Sequence, residues 1–257
     1  MPFTFSHPAI VLPFSNSKRN ILSLTGLIVG SVTPDFEFLL RLKETACFGH
    51  TWLGLFAFDI PFAILLSFVF HNIVRDTLIL HLPKFLFQRF SALISFGWTN
   101  YFIQHKLKFF LSVLVGIFSH VFLDAFTHSD GFFTERITFF SKEIAFLNHT
   151  LPVYSILQLA TSLLGALYIL WMIFKMKKET EVQQNNNAFV YWLSLAIGTI
   201  CIFAIRLLSS KRHESFEDII IAIIGSFLYT LVTISLYYSI GRNRLNKKSS
   251  NVLLEDL

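Results

Sequence analysis

Charge is scarce in this sequence. Asp, Glu, Lys and Arg make up only 14% of the 257 residues, against roughly a quarter in a soluble domain. With 54% hydrophobic residues and a mean hydropathy of +0.60, that shortage excludes a disordered chain, a nucleic-acid binder and an ordinary soluble globule. Cysteine is scarcer still, and Cys47 and Cys201 cannot build a disulfide framework or a cysteine zinc site. Strand alternation and internal repeats are missing. So are a Gly-rich phosphate loop, a Gly-x-Ser-x-Gly elbow and a His-Glu-x-x-His helix, which leaves P-loop and serine-nucleophile chemistry unsupported. The first apolar stretch, residues 8–14, lacks the basic flank of a leader, contains Pro8 and Pro13, and is too short to span a membrane. Targeting therefore falls to internal spans.

What is present is long apolar runs. The fold expected is all-α, a polytopic transmembrane helical bundle of about six spans plus an interfacial or re-entrant amphipathic helix. The spans read at 21–40, 52–70, 107–126, 153–174, 189–208 and 219–240. Residues 78–96 are apolar but carry His81, Pro83, Lys84, Gln88 and Arg89, the pattern of the amphipathic piece. One membrane-embedded domain covers 1–240, with a polar half at 1–150 and supporting helices at 151–240; a cytoplasmic tail follows at 241–257. Residues 183–187 read as a solvated linker and 251–257 as a loose end. The 31 phenylalanines suit lipid contact and carry no functional message.

The net charge of +5 fits basic cytoplasmic loops better than an acidic partner. Lys175, Lys177 and Lys178 are separated by two spans from Arg242, Arg244, Lys247 and Lys248, so they share a side. Arg75, Lys84, Arg89, Lys106 and Lys108 join them by counting back. That side is cytoplasmic by the positive-inside rule, which places the C-terminus inside and the segments around His50 and His128 outside.

The chemistry is concentrated in the first half. His120, Asp124 and His128 recur at i, i+4 and i+8, one stripe of a helix. Imidazole and carboxylate are the ligands of zinc and related divalent metals, although a polar seam between helices would use the same residues. Ionisable groups inside a membrane are costly and mark function. His50 precedes Asp59 by nine residues. On a helix beginning near Thr51, Asp59 lies about 10–13 Å below His50, and His120 about 12 Å below His128, at about 1.5 Å per residue. The two helices thus offer matching layers. Asp59, beside Pro61, could instead cap freed backbone groups. Thr33-Pro34-Asp35-Phe36-Glu37 reads as a helix start with cap, N1 proline and carboxylates, which also brings Asp35 and Glu37 near the entry of His50, Asp35 being the better ligand. His7 reaches the site only if residues 8–14 dip back into the membrane or Lys18-Arg19 lies outside. His71 and His81 read as boundary histidines, His105 and His213 as solvated; His149 could approach the site, but its spacing does not demand it.

Several segments together resemble a known family. They are Met1-Pro2-Phe3-Thr4 with Ser6-His7-Pro8-Ala9 and Leu12-Pro13; Gly30-Ser31 with Pro34-Asp35-Phe36-Glu37; and His50-Thr51 with Gly54-Leu55 and Phe58-Asp59-Ile60-Pro61. Gly116, Ser119-His120, Asp124, Phe126-Thr127-His128, Gly131, Leu151-Pro152-Val153-Tyr154 and Gln158 complete the set. The chain resembles, over roughly residues 1–240, a bacterial family of inner-membrane proteins known as domain of unknown function four-one-eight-four. Its His/Asp arrangement is similar to that of membrane-bound metal-dependent hydrolases, which are thought to be distant relatives of zinc-dependent phospholipases. By that analogy His7, Asp35, His50, His120 and Asp124 would be metal ligands.

The resulting expectation is a membrane-embedded hydrolase cutting a phosphoester or similar bond in a lipid or envelope substrate, in a bacterial inner membrane. Its metal ligands would come from His7, Asp35, His50, His120, Asp124 and His128. The cofactor would be a divalent metal, zinc foremost, with Asp35 or Asp59 as general base. The competing readings are a proton or metal-ion transporter and a scaffold whose polar stripe only joins helices.

Overall fold

The computed structural model describes residues 4–15, 21–44, 48–146, 149–179, 184, 188–210 and 215–255. Met1 to Phe3, Lys18, Arg19, Cys47, most of the 183–187 linker, Lys211, Arg212, His213 and the His149 side chain lie outside the described residues. Among the described residues the helices are α1 (Pro8–Ser15), α2 (Leu24–Arg41), α3 (Trp52–His81), α4 (Lys84–Phe90), α5 (Trp98–Gln104), α6 (Lys106–Thr127), α7 (Phe132–Arg136), α8 (Thr138–Ser141), α9 (Val153–Lys175), α10 (Ala188–Ser209) and α11 (Phe216–Glu255). Strands β1 (Glu143–Phe146) and β2 (His149–Pro152) pair antiparallel, Glu143 opposite Pro152. This hairpin is the one departure from the all-α expectation; four residues per strand are too few for alternation to register.

Among the described residues, five stretches are long and apolar enough to cross a membrane: Trp52–His81, Lys106–Arg136, Val153–Lys175, Ala188–Ser209 and Phe216–Arg242. Many of their large apolar side chains are bare. Phe189 is 74% exposed and Tyr237 75%, and α9 buries only Val153 and Gly165. Apolar surface of that extent is stable against lipid and not against water, so the chain is a multi-pass membrane protein.

The sixth expected span, α2, differs in kind. Twelve of its eighteen residues are buried, Asp35 and Glu37 among them. It is a core element of the protein and faces lipid least. Nor does it begin at Thr33-Pro34. Pro34 lies inside the helix, where its ring nitrogen cannot donate to the Gly30 carbonyl. Thr33 compensates, its Oγ1 donating to Gly30 O (3.2 Å) and Val29 O (2.9 Å). The expected cap is in fact a repair of a proline break.

Other boundaries also moved. The 78–96 segment divides at Pro83, its first part completing α3 and its second forming α4, which buries Phe87 and Arg89 and exposes Phe85. The C-terminal end, expected to be loose, is helical to Glu255.

The contacts divide the chain into two units. The first comprises residues 1–40, 45–67 and 100–176. Its central contact is α2 against α6, two helices whose small residues let the backbones approach. A Cβ on Gly26 would lie 2.7 Å from Ser112 Cβ, and one on Gly116 would lie 2.6 Å from Leu27 O. Gly30 abuts the Val113 backbone in the same way. Ser23 N donates to Ser112 Oγ at 2.6 Å.

The second unit comprises 41–44, 68–99 and 177–257. Val74, Tyr191, Leu195 and Leu231 form its core, and Ser215 Oγ caps α11 by accepting from Asp218 N at 3.0 Å. His71 and His81, expected at a solvated boundary, are packed here. His71 stacks on Trp98 at 4.3 Å and sits 3.0 Å from Arg75 Nη1. His81 is buried, stacks on Tyr191 at 4.2 Å and donates from Nδ1 to Thr77 O at 2.7 Å. Each aromatic partner supplies the contact area that burial of an imidazole requires.

Candidate metal centre

Four ligand atoms from three segments of the first unit converge. Asp35 (α2), His50 (the turn before α3), His120 and Asp124 (α6) each offer one atom, and all four lie within 4.8 Å of one another. His120 Nε2 is 3.1 Å from Asp124 Oδ2 and 3.5 Å from Asp35 Oδ1. His50 Nε2 is 3.5 Å from Asp124 Oδ2 and 3.8 Å from Asp35 Oδ1. Donors about 2.0–2.2 Å from one tetrahedral cation are themselves about 3.3–3.6 Å apart. The observed spacings, 3.1 to 3.8 Å, bracket that edge length, and His120 Nε2 has no hydrogen-bond partner.

Each side chain is aimed by a partner behind it. His120 donates from Nδ1 to the Ser31 carbonyl at 2.8 Å, which fixes the tautomer and turns the Nε2 lone pair inward, the usual support of a metal-bound imidazole. The close α2–α6 contact makes that bond possible. His50 sits on a turn tied down by Glu37, whose Oε2 accepts from Phe48 N (2.7 Å) and Gly49 N (3.3 Å). Thr51 then caps α3, accepting from Gly54 N at 3.0 Å. Glu37 was ranked below Asp35 as a ligand; what it holds is the backbone that carries one.

Asp59 ends a π-helical turn, Leu55–Asp59, a distortion that re-aims side chains at functional sites. Its carboxylate reaches the turn that carries His50: a Cβ on Gly49 would lie 2.8 Å from Asp59 Oδ1. Asp59 is fully buried and neither of its oxygens has a hydrogen-bond partner, so it does not cap backbone freed by Pro61.

His7 reaches the centre. Its ring stacks on His120 with centroids 4.0 Å apart, and its Nε2 lies 3.9 Å from Asp124 Oδ1. The charge argument from Lys18 and Arg19 had pointed away; α1 is instead a short helix packed in the site's own unit. Burial, and after it the charge of His120, push the His7 imidazole down to about 4, which leaves it neutral with a free lone pair at neutral pH. His128 follows the last residue of α6, its Nδ1 3.3 Å from Asp124 Oδ1 and its Nε2 3.0 Å from Gln158 Nε2. His105 is exposed.

The donor chemistry fits a cation. Asp35 Oδ2, Asp124 Oδ1, His120 Nε2, His7 Nδ1 and both Asp59 oxygens are buried without hydrogen-bond partners. Several carboxylates packed together in a membrane protein repel one another and lose their hydration. A divalent ion between two imidazoles and two carboxylates removes both penalties. The centre is most open at His50, whose side chain is 31% exposed, against 14% for Asp124, 3% for Asp35 and 0% for His120.

The family model described as Domain of unknown function (DUF4184) matches residues 1–236. No curated protein and no solved structure matches the chain.

Proposed function

The chain belongs to the DUF4184 family, and we propose that it is a membrane-embedded, metal-dependent hydrolase acting on a phosphoester or similar bond of a lipid or envelope substrate. The observation that carries this reading is the convergence of Asp35 Oδ1, His50 Nε2, His120 Nε2 and Asp124 Oδ2 at spacings suited to one cation. Asp35, His50, His120 and Asp124 would hold a divalent ion, zinc foremost, which would supply an acidified water and a Lewis acid for the scissile group. His120 and Asp124 hold the buried side of the site, and His50 stands at its open side. Asp35 Oδ2 and the Asp59 carboxylate are the unpartnered buried oxygens able to take a proton from the attacking water.

An apolar cleft of about 560 Å³ lies in the same unit, between Ile10 and Phe14 of α1 and Phe118 and Phe122 on the face of α6 turned away from His120; such a surface suits acyl chains beside the protein. The protein resides in a bacterial inner membrane with its C-terminus in the cytoplasm, a placement supported by Lys175, Lys177, Lys178 and Arg242 at the ends of the last three spans.

The deciding experiment uses purified chain in detergent micelles containing phospholipid. Stoichiometric zinc and metal-dependent release of a phosphorylated headgroup, both lost in His120→Ala, are expected. Ion flux in liposomes without retained metal would replace this reading with the transporter.

A further inference from the structure

Asp124 divides its two oxygens between two sets of imidazoles. Oδ2 faces His50 and His120, as above. Oδ1 faces His128 Nδ1 at 3.3 Å and His7 Nε2 at 3.9 Å, yet it has no hydrogen-bond partner. We propose that the centre holds two divalent cations bridged by Asp124, the second bound by Oδ1, His7 and His128. The proposal rests on the single-metal reading above and extends it.

Three features carry it. Of the two spacings around Oδ1, 3.3 Å falls at the edge length of a metal tetrahedron, about 3.3–3.6 Å, 3.9 Å exceeds it slightly, and neither is a hydrogen bond. The His7 and His120 rings are stacked, 4.0 Å apart and inclined by 20°, and each points its Nε2 at a different oxygen of the same carboxylate. Cations on the two nitrogens would then be separated by about the ring spacing, matching the roughly 3.5–4 Å of two-metal hydrolytic sites. Finally, His128 is held from behind by Gln158. A carboxamide turned over presents its oxygen instead of its nitrogen. Gln158 then accepts from His128 Nε2–H and leaves Nδ1 unprotonated, 3.3 Å from both Asp124 Oδ1 and Thr127 Oγ1.

A hydrogen-bonding role for His7 and His128, orienting Asp124 and nothing more, predicts one cation per chain. A bridged pair adds a clamp on both the attacking and the leaving oxygen of a phosphoester, and leaves an exposed edge at His50 and His128, whose side chains are 31% and 30% exposed.

The test is metal stoichiometry of the full-length chain in detergent after equilibrium dialysis against zinc. Two equivalents are expected for the wild type, and one for His7→Gln and for His128→Gln, each checked for a monodisperse gel-filtration profile. Manganese-loaded wild type provides a readout that needs no variant: an exchange-coupled electron paramagnetic resonance spectrum is expected. One equivalent in the wild type, with an isolated six-line manganese signal, overturns the second site and leaves the single-metal reading standing. Two equivalents in both variants overturn the ligand assignment. No retained metal at all overturns both readings.

Discussion

Glu37 illustrates how much of a site can depend on a residue that touches none of its chemistry. Its carboxylate receives two backbone N–H groups of the turn carrying His50, and Gly49 has no room for a Cβ beside Asp59. Glu37→Ala leaves those donors without their acceptor, at a cost of about 1–3 kcal/mol. Zinc affinity should fall about 10–100-fold, as for other residues that orient a ligand from behind. Competition with a chromophoric chelator measures the second effect and thermal melting the first; an unchanged affinity would show that the turn is held by something else. His120→Ala is the harsher change, since it removes both the Nε2 lone pair and the bond to the Ser31 carbonyl, and more than a 100-fold loss of zinc affinity is expected (above the upper range for an orienting residue alone). At this scale the sequence was informative where spacing is local. His120, Asp124 and His128 announce themselves at i, i+4 and i+8. His7 does not, because its position depends on the path of a short helix beside three other segments, and nearby charges pointed the wrong way. Asp59 was noticed, but its surroundings depend on a π-turn that leaves no pattern in the sequence.

Helices α2 and α6 hold the site through glycine. Gly26 and Gly30 on one helix and Ser112 and Gly116 on the other remove the side chains that would separate the backbones, and only that approach lets His120 reach Ser31 across 89 positions of sequence. The four-residue spacing of small residues is a readable signal for such packing. The proline break in α2 hid itself differently, because a threonine before a proline is the same signature whether it starts a helix or mends one. Gly30→Leu should push the helices apart, lowering stability by about 1–3 kcal/mol through overpacking. Its more informative effect is on metal, since moving α6 relative to Asp35 separates the ligands. A variant that melts earlier yet binds zinc with wild-type affinity would mean that the ligands follow one helix and not the contact between two.

For the whole chain, the apolar runs revealed a multi-pass membrane protein at once, because lipid-facing helices need only length and hydropathy. The number of spans was harder, since α2 is as apolar as a lipid-facing helix apart from Asp35, Glu37 and Arg41, and only packing shows that it is a core element. That packing has a consequence for stability. Asp35, His50, His120 and Asp124 all belong to the first unit, whereas the Val74, Tyr191, Leu195 and Leu231 core belongs to the second. A ligand stabilises only what must be folded to bind it, by about 2.7 kcal/mol at a hundredfold excess over its dissociation constant. Chelation should therefore expose the backbone amides of α2 and α6 to hydrogen exchange, where unscreened carboxylates are left facing one another, while protection in α10 and α11 is unchanged. Mass-spectrometric exchange with and without chelator reads the two regions in one sample. Equal loss of protection in both would show that the cation supports the entire fold, and no change in either would remove it from the structure altogether.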